Sequence, residues 1–109
     1  LRYWGIVGCF LLNDTQSAFT CLEDDSHEVR AMAGWLLLRS GNKKIGLQCL
    51  EQLLKENSYA TLSVLNIMDW AEDDAKPLLP TIQALKLKNY EEKMQLHLLA
   101  KHKQKGANF

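Results

Sequence analysis

Residues Val29 to Gly41 read VRAMAGWLLLRSG, and the architecture of the chain turns on them. Val29, Ala33, Leu36, Leu37 and Ser40 recur at helical spacing, and Ala31, Gly34, Trp35 and Leu38 form a second stripe on the far side. That spacing predicts a helix. A helix apolar on nearly every face is a buried one, with neighbours on both sides. Asp25 or Ser26 is placed to cap its start, with Glu28 able to answer a cap at Asp25. Gly41 is a natural stop.

The same period extends outward in both directions. Residues 2–12 and 16–23 read as two helices before the central one, with Ala18, Cys21 and Leu22 turned inward in the second. Residues 43–55 follow with a face of Ile45, Gly46, Cys49, Leu50, Leu53 and Leu54. Asn57-Ser58 caps a helix running to about Ala71 that carries Leu62, Leu65, Met68 and Trp70. Residues 75–87 make a further helix with Pro77 and Pro80 near its start, where a missing amide does least harm. Residues 90–103 form a last one, with Tyr90, Met94, His97 and Leu98 on one face and Lys101, His102 and Lys103 at its negative end. No stretch alternates with period two, so the expected class is all-α.

Sliding the chain on itself brings out a repeat. A shift of 28 lays Ala18 on Gly46, Cys21 on Cys49, Leu22 on Leu50 and Glu23 on Glu51. A shift of 31 lays Val29 on Ala60, Ala33 on Val64 and Leu36 on Ile67, and one of 29 lays Cys49 on Leu78, Leu50 on Leu79 and Leu53 on Ile82. Units of this kind cannot bury their faces alone and stack into a solenoid. The expected organisation is one domain over residues 1–105, with repeats at about 1–24, 25–56 and 57–88, an extra helix at 89–103 and a flexible tail at 106–109.

The pattern from Asp24 to Ala33, D-D-S-x-x-V-R-x-x-A, followed by Gly41, Gly46, Leu47 and Leu50, resembles HEAT repeats of the armadillo type. Such a resemblance implies a right-handed superhelical stack of about three helix pairs plus a C-terminal helix. RYWG at 2–5, AGWLLLRSGN at 33–42 and DDAKPLLP at 73–80 further resemble the helical C-terminal extension of some bacterial sulfatases. That likeness implies a scaffold or docking module packed against an upstream catalytic domain of the same chain, and a periplasmic or exported location. A free-standing module binding another protein or a peptide in its groove is the alternative.

The totals narrow the rest. The 109 residues leave room for one domain, and 47% apolar with 24% charged is globular composition. Thirteen basic and 13 acidic residues cancel, which argues against nucleic acid or an anionic membrane as the main partner. Uncharged runs such as residues 3–13, 11 long, are too short to span a bilayer. The chain opens without Met and inside an apolar pattern, so it reads as a piece of a longer polypeptide, with no signal-peptide pattern.

No catalytic, cofactor or metal site is expected. Sulfatases share a C/S-x-P-x-R segment that matures to formylglycine, and none of Cys9, Cys21 or Cys49 leads into it. These three cysteines read as unpaired, small apolar side chains. His97 and His102 lie about 140° apart around a helix and do not converge on a metal. The acidic clusters 24–25 and 69–74 lack calcium-loop spacing and read as caps and solvated turns.

The tryptophans each fall on the first helix of a repeat. Core filling is one reading of them; an aromatic interface patch or sugar platform is the other. Tyr3, Trp4, Phe10 and Trp35 are the candidate interaction surface. Arg30 and Arg39 are candidates to rim it. The first helix has Arg2 as its only charge, so self-association of the isolated chain through that end is expected.

Overall fold

In the computed structural model, residues 15–56 and 60–104, together with Gly8, are described. Helix accounts for 83% of them and no strand occurs among them. The elements are α1 (Thr15–Thr20), α2 (His27–Arg39), α3 (Lys43–Lys55), α4 (Thr61–Ala71), a 3-10 segment (Glu72–Leu78), α5 (Leu79–Ala84) and α6 (Asn89–Gln104). The chain is all-α. Among the described residues, no helix is long and apolar enough to cross a membrane.

The two stripes of α2 serve two separate cores. Val29, Ala33, Leu36 and Leu37 join Ala18 of α1, with Cys21, Leu22 and Met32 packed alongside. Ala31 and Leu38 face the other way, into a larger cluster with Leu50, Leu53 and Leu54 of α3, Val64, Leu65 and Met68 of α4, Leu79 and Ile82 of α5, and Leu98 of α6. A helix walled by protein on both sides must be apolar nearly all round. Its sequence is so for this reason.

Both ends of α2 are closed by local hydrogen bonds. Ser26 is the N-cap, its Oγ accepting from the Val29 N–H at 3.3 Å, and Asp24 Oδ1 accepts from the Ser26 N–H at 2.8 Å. Glu28 does not answer a cap at Asp25; it accepts from the Ser63 hydroxyl of α4 at 2.7 Å. At the far end the Asn42 N–H reaches the Leu37 carbonyl at 2.9 Å and the Gly41 N–H the Leu38 carbonyl at 3.5 Å. Gly41, at φ +98°, supplies the left-handed residue that this closure needs.

The three-residue turn 40–42 folds α3 back antiparallel on α2. The pair is drawn tightly together at Gly46, where an added Cβ would meet the Gly34 carbonyl oxygen and the Leu38 nitrogen, each at 2.7 Å. Beyond this pair, alternate helices lie side by side: α2 against α4, α4 against α6, and α3 against α5. Their bonds join residues 30 to 35 positions apart: Glu28 to Ser63, Glu51 to Thr81 at 3.2 Å, and Asp69 to Lys101 at 2.9 Å. Burial follows the same spacing. Ala33 and Val64, Leu36 and Ile67, Leu50 and Leu79, and Leu53 and Ile82 are all buried.

Several expectations are corrected. Residues 75–87 are not one helix: a 3-10 segment containing Pro77 leads into the short α5 with Pro80 at its start, and Leu85 is already extended at ψ 144°. Proline lacks the amide that an α-helical turn would use, so the tighter segment takes its place. At the end of α5 the Leu85 N–H donates to the Ile82 carbonyl, and Gln95 of α6 adds to it, its Nε2 donating to the Ile82 and Leu85 carbonyls. In α6 the inward face is Met94, Gln95, Leu98 and His102, one residue round from the expected one, which leaves Tyr90 59% exposed and His97 in solvent. Ile45 of α3 also emerges at the surface. The expected cap at Asn57-Ser58 and, apart from Gly8, the helix at 2–12 lie outside the described residues.

A candidate interaction cleft

Because α2 and α4 lie side by side, their outer residues meet. Trp35 of α2 and Trp70 of α4 stack with ring centroids 4.9 Å apart and planes tilted by 31°. Such offset pairs add roughly 0.5–1.5 kcal/mol beyond the area they bury. Trp70 is nevertheless 58% exposed, correcting its placement among the inward residues of its helix. The helical period contains the reason. Val64, Leu65 and Met68 make the buried stripe, and Trp70 is about 200° round from Met68.

Beside the pair lies a cavity of about 240 Å³, lined by Trp35, Leu38, Arg39, Trp70, Ala71 and Asp74. Its floor is apolar, two indoles form its wall, and a guanidinium and a carboxylate stand at its rim. Asp74 is held by Lys43 at 3.1 Å. Trp35 and Arg39 are thus brought together as a patch and its rim. Arg30 is elsewhere, paired with Glu56 at 3.3 Å on the opposite side of α2. Tyr3, Trp4 and Phe10 lie outside the described residues.

The strand of backbone leaving Trp70 is constrained. Glu72 adopts φ 55° and ψ −127°, a conformation that a side chain disfavours, at a typical cost of about 1–3 kcal/mol. Lys101 of α6 holds this corner, with its Nζ 3.2 Å from Glu72 Oε2, 2.9 Å from Asp69 Oδ1 and 3.1 Å from the Asp69 carbonyl. His97 Nε2 lies 3.2 Å from the same Asp69 oxygen. The Lys101 hydrogen bond lowers the Asp69 pKa and raises that of Lys101. The acidic stretch 69–74 is therefore matched with lysines: Asp69 and Glu72 with Lys101, Asp73 with Lys76, and Asp74 with Lys43. Lys101 and His97 are site residues that sequence reading missed, since only the stacking of α6 on α4 brings them there.

A separate hollow of about 260 Å³ is lined by Leu22, Glu23, Arg30 and the half-buried Cys49. The Cys49 thiol donates to the Arg30 carbonyl at 3.2 Å, and burial pushes its pKa up to about 11. A thiol so raised is protonated at neutral pH and is a poor nucleophile. Cys21 and Cys49 are both free. Among the described residues, no three His, Cys, Asp or Glu side chains are grouped to hold a metal. The Trp35–Trp70 cleft presents flat apolar faces with one guanidinium and one carboxylate beside them.

Comparison with protein-family models, with curated proteins and with solved structures finds no match to this chain.

Proposed function

We propose that this chain is a non-catalytic scaffold built of HEAT-like helix pairs, and that the Trp35–Trp70 cleft is where it docks on another protein. The observation that carries the reading is the exposed Trp70, stacked on Trp35 over a cavity rimmed by Arg39. Tryptophan and arginine dominate the energetics of protein interfaces, chiefly when gathered in a pocket that a partner can close. Bonds between residues about 30 apart, α2 to α4, α3 to α5 and α4 to α6, support the repeat-stack part. The sequence resemblance makes the partner the upstream catalytic domain of a sulfatase-like parent; a free-standing module binding a peptide is the second reading.

The reading frame that encodes the chain distinguishes these two. A C-x-P-S-R segment upstream supports the first, and an independent start immediately before Leu1 the second. On the first reading, the upstream segment and the 109-residue chain, expressed together, co-elute, and Trp35→Ala with Trp70→Ala separates them. Co-elution unchanged by that double variant rejects the cleft as the docking surface.

A further inference from the structure

Trp70 also lines a second concavity, one to two turns nearer the N-terminal end of α2. This one holds about 90 Å³ and is bounded by Glu28, Met32, Ser63, Asn66, Ile67 and Trp70. Glu28 is half-buried, accepts one hydrogen bond from Ser63 through Oε2, and is paired with no cation among the described residues. Glu51, Glu56, Asp69, Glu72, Asp73 and Asp74 are each matched with a Lys or Arg. Glu28, like Glu23, Asp25, Glu91 and Glu92, is not so matched among the described residues, and it differs from those four in lining this concavity. Neither the Asn66 amide nor the Trp70 indole N–H is hydrogen-bonded among the described residues, so both remain available to a visitor. A carboxylate in the first turn of α2 suits the helix dipole, which accounts for an acid at position 28. The dipole does not account for an exposed indole and an idle carboxamide across from it.

A hollow walled by an aromatic face, an uncompensated carboxylate and a carboxamide, with a thioether and an Ile below, is complementary to an organic cation on an apolar stem. The cation lies over the indole and against Glu28 while the stem covers Met32 and Ile67. We infer that this concavity receives the side chain of a lysine or arginine presented by a docking protein segment. The inference rests on the reading of the chain as an interaction module and supplies the chemistry of its partner. Such a segment would run along the α2–α4 groove, with the cation at the Glu28 end and apolar residues against Trp35.

The test titrates the full 109-residue chain with N-acetyl-lysine methylamide and N-acetyl-arginine methylamide, following the Trp70 indole and Asn66 carboxamide resonances by NMR. N-acetyl-norleucine methylamide, which keeps the stem without the charge, and tetramethylammonium chloride, a free cation without a stem, are titrated alongside. The expected result is saturable binding of the lysine or arginine probe, weakened about tenfold in Glu28→Gln and about three- to tenfold in Trp70→Ala. Glu28→Gln keeps an acceptor for Ser63, so its fold is retained. Equal binding of the norleucine probe, an unchanged affinity in Glu28→Gln, or the absence of any perturbation overturns the inference. Tetramethylammonium binding as tightly as the lysine probe overturns the protein segment in favour of a free small cation. A chain that still co-elutes with its upstream partner as Glu28→Gln, but not as Trp35→Ala with Trp70→Ala, keeps the docking reading and discards this one.

Discussion

Gly46→Ala is the sharpest probe of how the helices are held. An ideal Cβ at position 46 would lie 2.7 Å from the Gly34 carbonyl oxygen, 2.7 Å from the Leu38 nitrogen and 3.0 Å from the Leu38 Cα. Unstrained heavy-atom contacts start near 3.5 Å, so α3 must retreat from α2 by about 0.8 Å. All three obstacles are backbone atoms, which no rotamer change can clear. The cost then belongs at the upper end for overpacking, about 3 kcal/mol. Alanine returns about 1 kcal/mol of helix propensity. The net loss is about 2 kcal/mol, or a fall in Tm of about 8–16 °C for a domain of this size. Gly34→Ala is the matched control, because its Cβ would meet only the side chains of Leu50 at 3.2 Å and Cys49 at 3.3 Å, which can shift. Thermal melts by circular dichroism at 222 nm (about the helix minimum) read both variants. Should Gly46→Ala melt at or above the parent, or Gly34→Ala prove the costlier of the two, the backbone approach at Gly46 is not what sets the spacing of this pair.

Other expectations follow from the same geometry. Cys49, with its thiol pushed up to about 11, should resist a disulfide reagent at pH 8 (about three units below) in the folded chain and react fully once unfolded; rapid reaction of the native thiol would contradict its burial. Asp69 has a folded pKa below the ordinary 3.8, so its contribution is present above that value and lost as pH falls through the folded one. Lys101 has a folded pKa above 10.5, so its contribution is present below that value and lost as pH rises further. Asp69→Asn should thus cost about 0.5–1 kcal/mol in low salt across the neutral range, with the difference from the parent shrinking at both extremes; a penalty unchanged at strongly acid pH refutes the pair. Trp70→Ala should lower stability by no more than about 1.5 kcal/mol yet remove the exciton signal of the stacked indoles, whereas Leu53→Ala, wholly buried, should cost about 2–5 kcal/mol. Equal penalties would place Trp70 in the core.

The fold was legible where one periodicity dominates. The two stripes of α2 each found a core of their own. Several of the residues equated by sliding the chain, such as Ala33 with Val64 and Leu53 with Ile82, are buried in both places. Leu22 and Cys49, however, are only half-buried where Leu50 and Leu78 are fully so. It was less legible where two signals compete. Across 75–87 the apolar spacing argues for an α-helix, while Pro77 and Pro80 withhold the amides it would need. In α6, Tyr90 and His97 suit an inward face by chemistry, but Gln95 reaches the carbonyls of Ile82 and Leu85, and the helix is set one residue round with Met94 and Leu98 still inward. Trp35 could be singled out in the sequence because it stands opposite the Val29–Ala33–Leu36 stripe. Trp70 could have been found by the same count of degrees; large apolar residues invite an inward placement that the period did not support. The Glu28 concavity had no such signal, since Ser63 and Asn66 reach it only through the packing of α4 on α2.

Placing one helix between two cores has a consequence for how the molecule comes apart. Leu36 and Leu37 belong to one core and Leu38 to the other, on consecutive residues of one rigid rod. Melting the larger cluster removes the support of α2 on α3 and α4, and with it the wall against which Ala18 of α1 is buried. Arrays of repeats ordinarily permit one end to open while the remainder stays folded. Here the amides of positions 36–38, walled by protein on both sides, should be among the slowest of the described residues to exchange with solvent; native-state hydrogen exchange showing them open with the fast class would contradict this.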